Sequence, residues 1–207
     1  MNNFKTEQEA FWAGTFGDEY VSRNKSAQLL ASNMAFFSKI LPRTVGVKSL
    51  IEFGANIGMN LHAIRTLLPN VELSAIEINQ HAVSELDKLQ NISVYPQSIL
   101  DFSPDRTWDM VLIKGVLIHI NPDNLKQVYE RLYRSCSRYI CVAEYYNPAP
   151  VEVVYRGHSG KLFKRDFAGE LMDSYSDLTL VDYGFAYHRD SYFPQDDITW
   201  FLLEKTN

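Results

Sequence analysis

A strand, a glycine-bearing turn and a helix follow one another over residues 50–68, and this unit constrains the fold more than any other part of the chain. The strand contains the acid Glu52, the turn carries Gly54 and Gly58, and an apolar-periodic stretch follows. Open α/β sheets hold nucleotide-like ligands on such a turn, at the carboxyl ends of their parallel strands. The next apolar run ends in Glu77, from where a carboxylate can accept hydrogen bonds from both hydroxyls of a ribose. The pattern therefore predicts an α/β fold with a nucleotide-like ligand at this turn.

The rest of the chain alternates between strand-like and helix-like periodicity. The predicted strands are Val47–Phe53, Val71–Glu77, Ile92–Tyr95, Trp108–Ile113, Tyr139–Glu144, Leu178–Tyr183 and Ile198–Glu204. The predicted helices are Thr6–Ala13, Ser26–Leu41, Ile57–Leu68, Gln80–Leu89, Asp123–Cys136 and Asp166–Ser174. Crossover helices accompany the first five strands, as parallel pairing requires, and the last two strands lack one and are expected to pair antiparallel. We therefore predict a Rossmann-like, seven-stranded, doubly wound sheet, mostly parallel with an antiparallel last strand, with helices on both faces.

Length and composition indicate one domain. The chain has 207 residues, 46% of them apolar and 22% charged, which are ordinary values for a single globular unit. Within it we distinguish an N-terminal helical extension (1–42), a core (47–207) and a long loop (146–165). Loops of that length in a compact domain are usually functional, and we expect this one to form the acceptor site. No metal site is expected, because Cys136 and Cys141 lack ligand spacing and look like reduced core residues.

Charge and hydropathy exclude some partners. A net charge of −5 gives no basic field for a phosphate backbone, so nucleic acid is not an expected partner. Glu7 and Glu9 precede any apolar run, and Lys114 interrupts the most apolar stretch. The sequence therefore indicates neither a signal peptide nor a membrane span, and a cytoplasmic location is expected.

The turn discriminates between nucleotide ligands. A dinucleotide fingerprint has three glycines, the second of which lets the backbone touch a pyrophosphate. Asn56 stands at that second position. Asparagine tolerates a left-handed backbone but adds a side-chain donor and acceptor, which suit an amino-acid group better than a diphosphate. With Glu77 for a ribose, and Ser98 and Ile99 after the third strand for an adenine, the expected ligand is S-adenosylmethionine.

At these residues the chain resembles the class I (Rossmann-like) S-adenosylmethionine-dependent methyltransferases over roughly its whole length, including the closing antiparallel pair. It resembles more narrowly the methylases associated with pseudaminic acid biosynthesis. That narrower resemblance lies in Phe11–Asn24, Lys114–Asp123, Glu144–Pro148, Tyr155–His158 and Leu162–Phe167. It implies company with pathways of sialic-acid-like (nonulosonic acid) sugars. No Asp/Asn-Pro-Pro-Tyr/Phe motif follows the fourth strand, which favours a small-molecule acceptor.

The broader resemblance implies roles for residues of the cofactor site. The glycine turn would shape the methionine end, and Lys114 and Gly115 would form the floor below the sulfonium. The expected cofactor residues are Trp12, Tyr20, Arg23, Glu52, Gly54, Asn56, Gly58, Asn60, Glu77, Ile78, Ser98, Ile99, Lys114 and Gly115. The aromatic and basic N-terminal set has two interpretations: a lid, with Arg23 on the cofactor carboxylate, or Trp12 and Phe16 fastening the first helix to the sheet.

The acceptor side is expected beyond the fourth and fifth strands. His119 is the candidate general base, since imidazole titrates near neutral pH, and its alternative role is to order the turn around it. Tyr145 and Tyr146 are the other catalytic candidates. Aromatic and basic loop residues are candidates for binding an anionic acceptor such as a carboxylate or sugar nucleotide: Tyr155, Arg156, His158, Lys164 and Arg165.

The predicted function is therefore an S-adenosylmethionine-dependent methyltransferase that acts on an oxygen or nitrogen nucleophile of a small molecule, with a nonulosonic-acid-type sugar or sugar nucleotide as the finer expectation. One alternative is a protein that binds S-adenosylmethionine without catalysis. A second alternative is an NAD-dependent oxidoreductase, which the missing loop glycine disfavours.

Overall fold

The computed structural model describes residues 4–23 and 25–206. Asn24, the last residue of the N-terminal motif Phe11–Asn24, lies outside the described residues, as do residues 1–3 and 207 of the predicted domain. The α-helices are α1 (Glu7–Ala13), α2 (Thr15–Arg23), α3 (Ala27–Ile40), α4 (Met59–Leu67), α5 (Gln80–Leu86), α6 (Leu125–Ser135) and α7 (Phe167–Ser174). The strands are β1 (Ser49–Phe53), β2 (Glu72–Ile76), β3 (Ile92–Tyr95), β4 (Trp108–Lys114), β5 (Cys136–Glu144), β6 (Val151–Glu152), β7 (Phe163–Lys164), β8 (Leu178–Ala186) and β9 (Ile198–Lys205). Short 3₁₀ helices cover Leu41–Arg43, Leu117–His119 and Pro122–Asn124.

Seven strands form one sheet in the order β3-β2-β1-β4-β5-β9-β8. Strands β1 to β5 pair parallel, and β9 runs antiparallel to both β5 and β8. The predicted fold class is confirmed, and the antiparallel last strand is β9. Strand order reverses between β1 and β4, and open α/β sheets bind ligands outside the carboxyl ends of their strands at such a reversal.

Helices cover both faces of the sheet. One core cluster packs α6 and α7 against it, with Leu132 and Leu171 fully buried. The other packs α3, α4 and α5 against the opposite face, with Phe37 and Leu61 fully buried. Because both faces are covered, every residue of β1 is buried. The one acidic residue of this buried strand, Glu52, belongs to the site at the carboxyl end of the strand.

Several element boundaries differ from the prediction for local reasons. Helix α4 begins at Met59 rather than Ile57, because Gly58 has φ 78° and forms the N-cap. Cys136 was predicted to end a helix and is instead the first residue of β5. Both cysteines are nevertheless buried free thiols, and burial raises the pKa of each to about 12.

Helix α2 and the strand pair β6 and β7 were not predicted. Helix α2 follows α1 after a single residue, Gly14. It was not predicted because Gly14 and Gly17 disfavour a helix in this stretch of the sequence. A Cβ on Gly17 would lie 1.8 Å from the carbonyl oxygen of Trp12, so only glycine permits this corner. The predicted loop 146–165 contains a short antiparallel ladder between β6 and β7. No helix in the described part of the chain is long and apolar enough to cross a bilayer.

Candidate functional site

A cavity opens at the carboxyl ends of β1 to β4 and is covered by the N-terminal helices. Most predicted cofactor residues and the candidate base line it: Trp12, Tyr20, Gly54, Asn56, Asn60, Glu77, Ile78, Ser98, Ile99, Lys114, Gly115 and His119. The N-terminal extension and the loop 194–197 also contribute lining residues, among them Gln8, Glu9 and Asp196. Sequence reasoning missed these three.

The glycine turn has a left-handed backbone at three alternate positions. The φ values are 76° at Gly54, 49° at Asn56 and 78° at Gly58. A Cβ on Gly54 would lie 2.7 Å from Cγ2 of Val116, so this glycine lets the turn approach the loop after β4. The side chain of Asn56 accepts a 2.6 Å hydrogen bond from the backbone N–H of Ile57. Asn56 thus adopts the left-handed conformation that the sequence analysis expected.

Glu77 is held by the turn it faces. Its carboxylate accepts hydrogen bonds from the backbone N–H of Asn56 at 2.7 Å and of Asn79 at 2.8 Å. Burial raises the pKa of this carboxyl, and the backbone donors oppose the shift. Each oxygen keeps a second lone pair, so the fixed carboxylate can still accept two hydroxyl hydrogen bonds.

Two buried acceptor atoms lie near the half-buried amine of Lys114, at the end of β1. Glu52 Oε1 accepts a 2.6 Å hydrogen bond from Asn60 Nδ2. Among the described residues, neither Glu52 Oε2 nor Asn60 Oδ1 has a partner. Burial raises the pKa of Glu52 to about 8, and the charge of Lys114 opposes this shift. Because buried polar atoms are normally paired, two unpaired acceptors beside an ammonium fit the two charged groups of an amino acid.

The opposite end of the cavity is formed by the loop after β3 and by α1. Ser98 Oγ donates a hydrogen bond to Glu9, whose other oxygen accepts from the backbone N–H groups of Lys5 and Thr6. Glu9 is also the N3 residue of the capping box that starts α1 at Thr6. A Thr-x-x-Glu pattern identifies a helix start, and nothing in it indicated that this glutamate would reach a cavity.

His119 lies on the 3₁₀ turn after β4 and is only 8% exposed. Its Nδ1 lies 2.6 Å from the carbonyl oxygen of Lys161. Its ring centroid is 4.6 Å from that of Trp12 and 5.0 Å from that of Tyr155. Burial lowers the pKa of His119 to about 4, so the imidazole is neutral at pH 7. A carbonyl can only accept, so Nδ1 carries the proton and Nε2 is left with a free lone pair.

Glu144 orders the turn that carries His119. Its Oε1 accepts hydrogen bonds from the backbone N–H groups of Val116 and Leu117, both at 2.9 Å. Burial raises the pKa of this carboxyl to about 7, and the backbone donors oppose the shift. Glu144 thus orders the start of this turn, and both roles considered for His119, the base and the turn-ordering residue, stay predictions.

The N-terminal helices are fastened to the site through Asn79. Its Nδ2 donates to the carbonyl oxygen of Trp12 at 3.1 Å and to Asp18 at 2.9 Å. Its Oδ1 accepts from the backbone N–H of Ala82 and so caps α5. Trp12 and Tyr20 line the cavity, while Phe16 packs in the aromatic cluster with Trp12. Trp12 and Tyr20 thus lie at the cavity while Asn79 fastens the helices, and the two interpretations of the aromatic set stay predictions.

Other predicted residues lie outside this cavity. Arg23 is exposed and donates to the backbone oxygen of Glu19. Glu52 lies beneath the lining, and Gly58 contributes the helix cap rather than a wall. Tyr145, Tyr146 and Lys164 line a second depression, which shares Asp196 with the main cavity.

The predicted acceptor-loop residues are dispersed. Tyr155 contacts His119 from outside the cavity lining. Arg156 lies on the turn tip, over the ring of Tyr155, and His158 packs on Phe11. Arg165 forms a 2.6 Å ion pair with Glu170. No group of three or more metal-ligating side chains occurs within residues 4–23 and 25–206.

Solved structures with the same architecture are methyltransferases. Magnesium protoporphyrin IX methyltransferase from Synechocystis, with bound S-adenosylhomocysteine, is 11% identical and superposes with a TM-score of 0.71 over 98% of this chain and 100% of its own. The 1,6-didemethyltoxoflavin-N1-methyltransferase from Burkholderia thailandensis is 12% identical, with a TM-score of 0.69 over 96% and 87%. The plantazolicin methyltransferase is 13% identical, with a TM-score of 0.67 over 97% and 95%. The chain shares their fold.

The comparisons by sequence give no assignment. No model of a known protein family matches the chain, and no curated protein matches it significantly. The narrower resemblance to the methylases associated with pseudaminic acid biosynthesis therefore has no support beyond the motifs that suggested it.

Proposed function

We propose that the protein is an S-adenosylmethionine-dependent methyltransferase that acts on an oxygen or nitrogen nucleophile of a small molecule. The observation that carries the proposal is a pair of buried acceptors, on Glu52 and Asn60, that lie near Lys114 and have no partner in the described part of the chain. They suit the ammonium of a methionine moiety, with Lys114 for its carboxylate. A dinucleotide would instead bring a diphosphate, which offers no hydrogen-bond donor, toward the unpaired amide oxygen of Asn60.

Each end of the cavity has a role in this proposal. Gly54, Asn56 and Gly58 shape the turn, Glu77 holds the ribose, and Gly115 lies below the reacting carbon. Ile78, Ser98 and Ile99 surround the adenine, and Trp12 and Tyr20 cover the ligand. The pairing of Arg23 with a cofactor carboxylate stays a prediction, and Lys114 is better buried for that task.

The acidic lining favours a cation. Glu77 and Asp196 line the cavity. When bound, S-adenosylmethionine supplies a methyl group on a cationic sulfonium. The protein's main task is then to align the nucleophile at about 3 Å from the methyl carbon, with His119 accepting a proton where the nucleophile carries one. Tyr145 and Tyr146 remain candidates for acceptor contacts through the second depression.

A finer proposal concerns the acceptor. A nonulosonic-acid-type sugar or sugar nucleotide would offer hydroxyl or amine nucleophiles together with anionic groups. Tyr155, Arg156, His158, Lys164 and Arg165 are proposed for the anionic part. This proposal rests on the sequence motifs alone.

Thermal unfolding with S-adenosylhomocysteine or NAD tests the cofactor. A ligand at about 100 times its dissociation constant stabilises the folded state by about 2.7 kcal/mol. We expect a concentration-dependent rise in melting temperature with S-adenosylhomocysteine and none with NAD. The rise should be lost in Glu77→Ala and kept in Glu72→Ala, whose carboxylate pairs with Arg106 at the far end of the same strand. A shift with NAD alone would favour the oxidoreductase alternative, and binding without turnover would favour the non-catalytic one.

A further inference from the structure

The loop between β6 and β7 fixes two side chains of the cavity with consecutive backbone carbonyls. The carbonyl oxygen of Gly160 lies 2.8 Å from Gln8 Nε2, and that of Lys161 lies 2.6 Å from His119 Nδ1. Gly160 has φ 67°, and its N–H donates to Glu152 at 2.5 Å. The β6–β7 loop thus fixes the side chain of one residue of α1 relative to that of one residue of the turn after β4.

These contacts determine which atoms remain for a ligand. A carbonyl oxygen only accepts, so Gln8 must present its N–H₂ and His119 its Nδ1–H to the loop. What remains are Gln8 Oε1 and His119 Nε2, two acceptors on side chains that line the cavity. Gln8 is only 7% exposed, and within residues 4–23 and 25–206 its Oε1 has no partner. A buried amide oxygen without a partner is costly, so a ligand donor is expected there.

We infer that the methyl acceptor is a hydrogen-bond donor at both positions: its nucleophilic N–H or O–H meets His119 Nε2, and a neighbouring N–H or O–H meets Gln8 Oε1. This inference rests on the proposed methyltransferase function and deepens it. It selects amines and hydroxyls as nucleophiles and rejects carboxylates, whose oxygens would face two lone pairs.

The charges of the lining point the same way. The acids Glu9, Glu77 and Asp196 line the cavity together with Lys114, which interacts with Glu52 and Asp196. The basic residues of the 146–165 loop do not line it. A carboxylate nucleophile would therefore enter a lining in which acidic residues outnumber basic ones.

The transfer step balances with these residues. The lone pair of the acceptor nitrogen or oxygen forms the bond to the methyl carbon, and the carbon–sulfur bond breaks with its electron pair remaining on sulfur. The N–H or O–H proton passes to His119 Nε2 and then to solvent. The Nδ1–H bond to Lys161 O stabilises the imidazolium formed on the way.

Nitrogen-15 NMR of the wild-type protein tests the inference without any substitution. At pH 7.5 the ring of His119 should be in the Nδ1–H tautomer, and an Nε2–H tautomer would overturn the inference. Three probes that share one ring, benzylamine, benzyl alcohol and benzoate, are then titrated into protein saturated with S-adenosylhomocysteine. Benzylamine or benzyl alcohol should shift the Nε2 resonance while benzoate does not. An equal effect of benzoate, or no effect of any probe, overturns it.

Variants on α1 separate recognition from folding. Gln8→Leu should weaken binding of the donor probe about tenfold, the effect of one neutral hydrogen bond, with affinity for S-adenosylhomocysteine within about twofold. Glu7→Gln is the matched control, because Glu7 is exposed and contacts the same loop only at Lys161 Nζ. Unchanged probe affinity in Gln8→Leu, or an equal loss in Glu7→Gln, contradicts the inference. Absence of S-adenosylhomocysteine binding in the wild type would instead contradict the proposed function, and the tautomer measurement would still stand.

Discussion

Replacing Gly54 by alanine tests how the ligand turn is held against the loop after β4. Two costs add. The φ of 76° places an L-residue in the left-handed region at about 1–2 kcal/mol. The new Cβ would also lie 2.7 Å from Cγ2 of Val116, and such overpacking costs about 1–3 kcal/mol. Valine cannot relieve the contact easily, because its χ1 is restricted. We expect Gly54→Ala to lose about 2–5 kcal/mol of the free energy of unfolding.

The chain offers a control with the same backbone and no neighbour. Gly46 has φ 75°, and a Cβ there would meet no atom within 4 Å. Gly46→Ala should therefore lose only the backbone cost, about 1–2 kcal/mol. In a double-mutant cycle, Val116→Ala should recover most of the extra loss of Gly54→Ala. Urea unfolding followed by circular dichroism gives the free energies, and calorimetry with S-adenosylhomocysteine gives the affinity, which should fall at least about tenfold in Gly54→Ala alone.

The reasoning fails if Gly54→Ala is no less stable than Gly46→Ala. It also fails if Val116→Ala does not relieve the Gly54→Ala deficit, since that would place the cost outside this contact.

Three further substitutions probe the site. His119→Asn should bind S-adenosylhomocysteine normally and turn over about 10²–10⁴-fold more slowly, and full turnover would remove His119 as the base. Burial lowers the pKa of His119 from 6.5 to about 4, so between these pH values the unfolded state binds a proton that the folded state does not. In urea unfolding, the free energy of unfolding of the wild type should therefore fall by up to about 3 kcal/mol relative to His119→Asn as the pH falls from 6.5 to 4. Glu144→Gln should show the opposite pH dependence, because the pKa of Glu144 in the folded protein is raised from 4.5 to about 7. The free energy of unfolding of this variant should rise by up to about 3 kcal/mol relative to the wild type as the pH rises from 4.5 to 7. A difference that does not depend on pH would contradict the burial of the Glu144 carboxylate. Asn79→Ala should cost about 2 kcal/mol, from a lost helix cap and the lost bond to Trp12, and should speed proteolysis of the N-terminal helices, whereas unchanged cleavage would contradict their attachment through Asn79.

The sequence predicted the parts of the site that one local segment encodes. The Gly54–Gly58 turn and Glu77 follow from strand–turn–helix patterns, and the sheet follows from periodicity. The role of Glu144 in ordering the turn after β4 was not predicted, because its partners are backbone amides that lie 27 and 28 residues away in the sequence.

The acceptor side illustrates the same limit. Basic residues of the 146–165 loop suggested an anion site, but the loop contacts cavity residues through the ring of Tyr155 and the backbone carbonyls of Gly160 and Lys161. No residue type encodes a contact made by a backbone carbonyl. Gln8 and Glu9 lie in the predicted helix Thr6–Ala13, but they were not predicted to line the cavity, because only the docking of α1 on the sheet brings them to it.

The central claim is methyl transfer at this cavity, and S-adenosylmethionine with a labelled methyl group tests it most directly. The labelled cofactor is incubated with the protein and either a small-molecule extract or a panel of nucleotide sugars, and the products are identified by mass spectrometry. The account predicts label on a nitrogen or hydroxyl oxygen of a small molecule, and its loss in His119→Asn. Incorporation of no label by a protein that also fails to bind S-adenosylhomocysteine would contradict it.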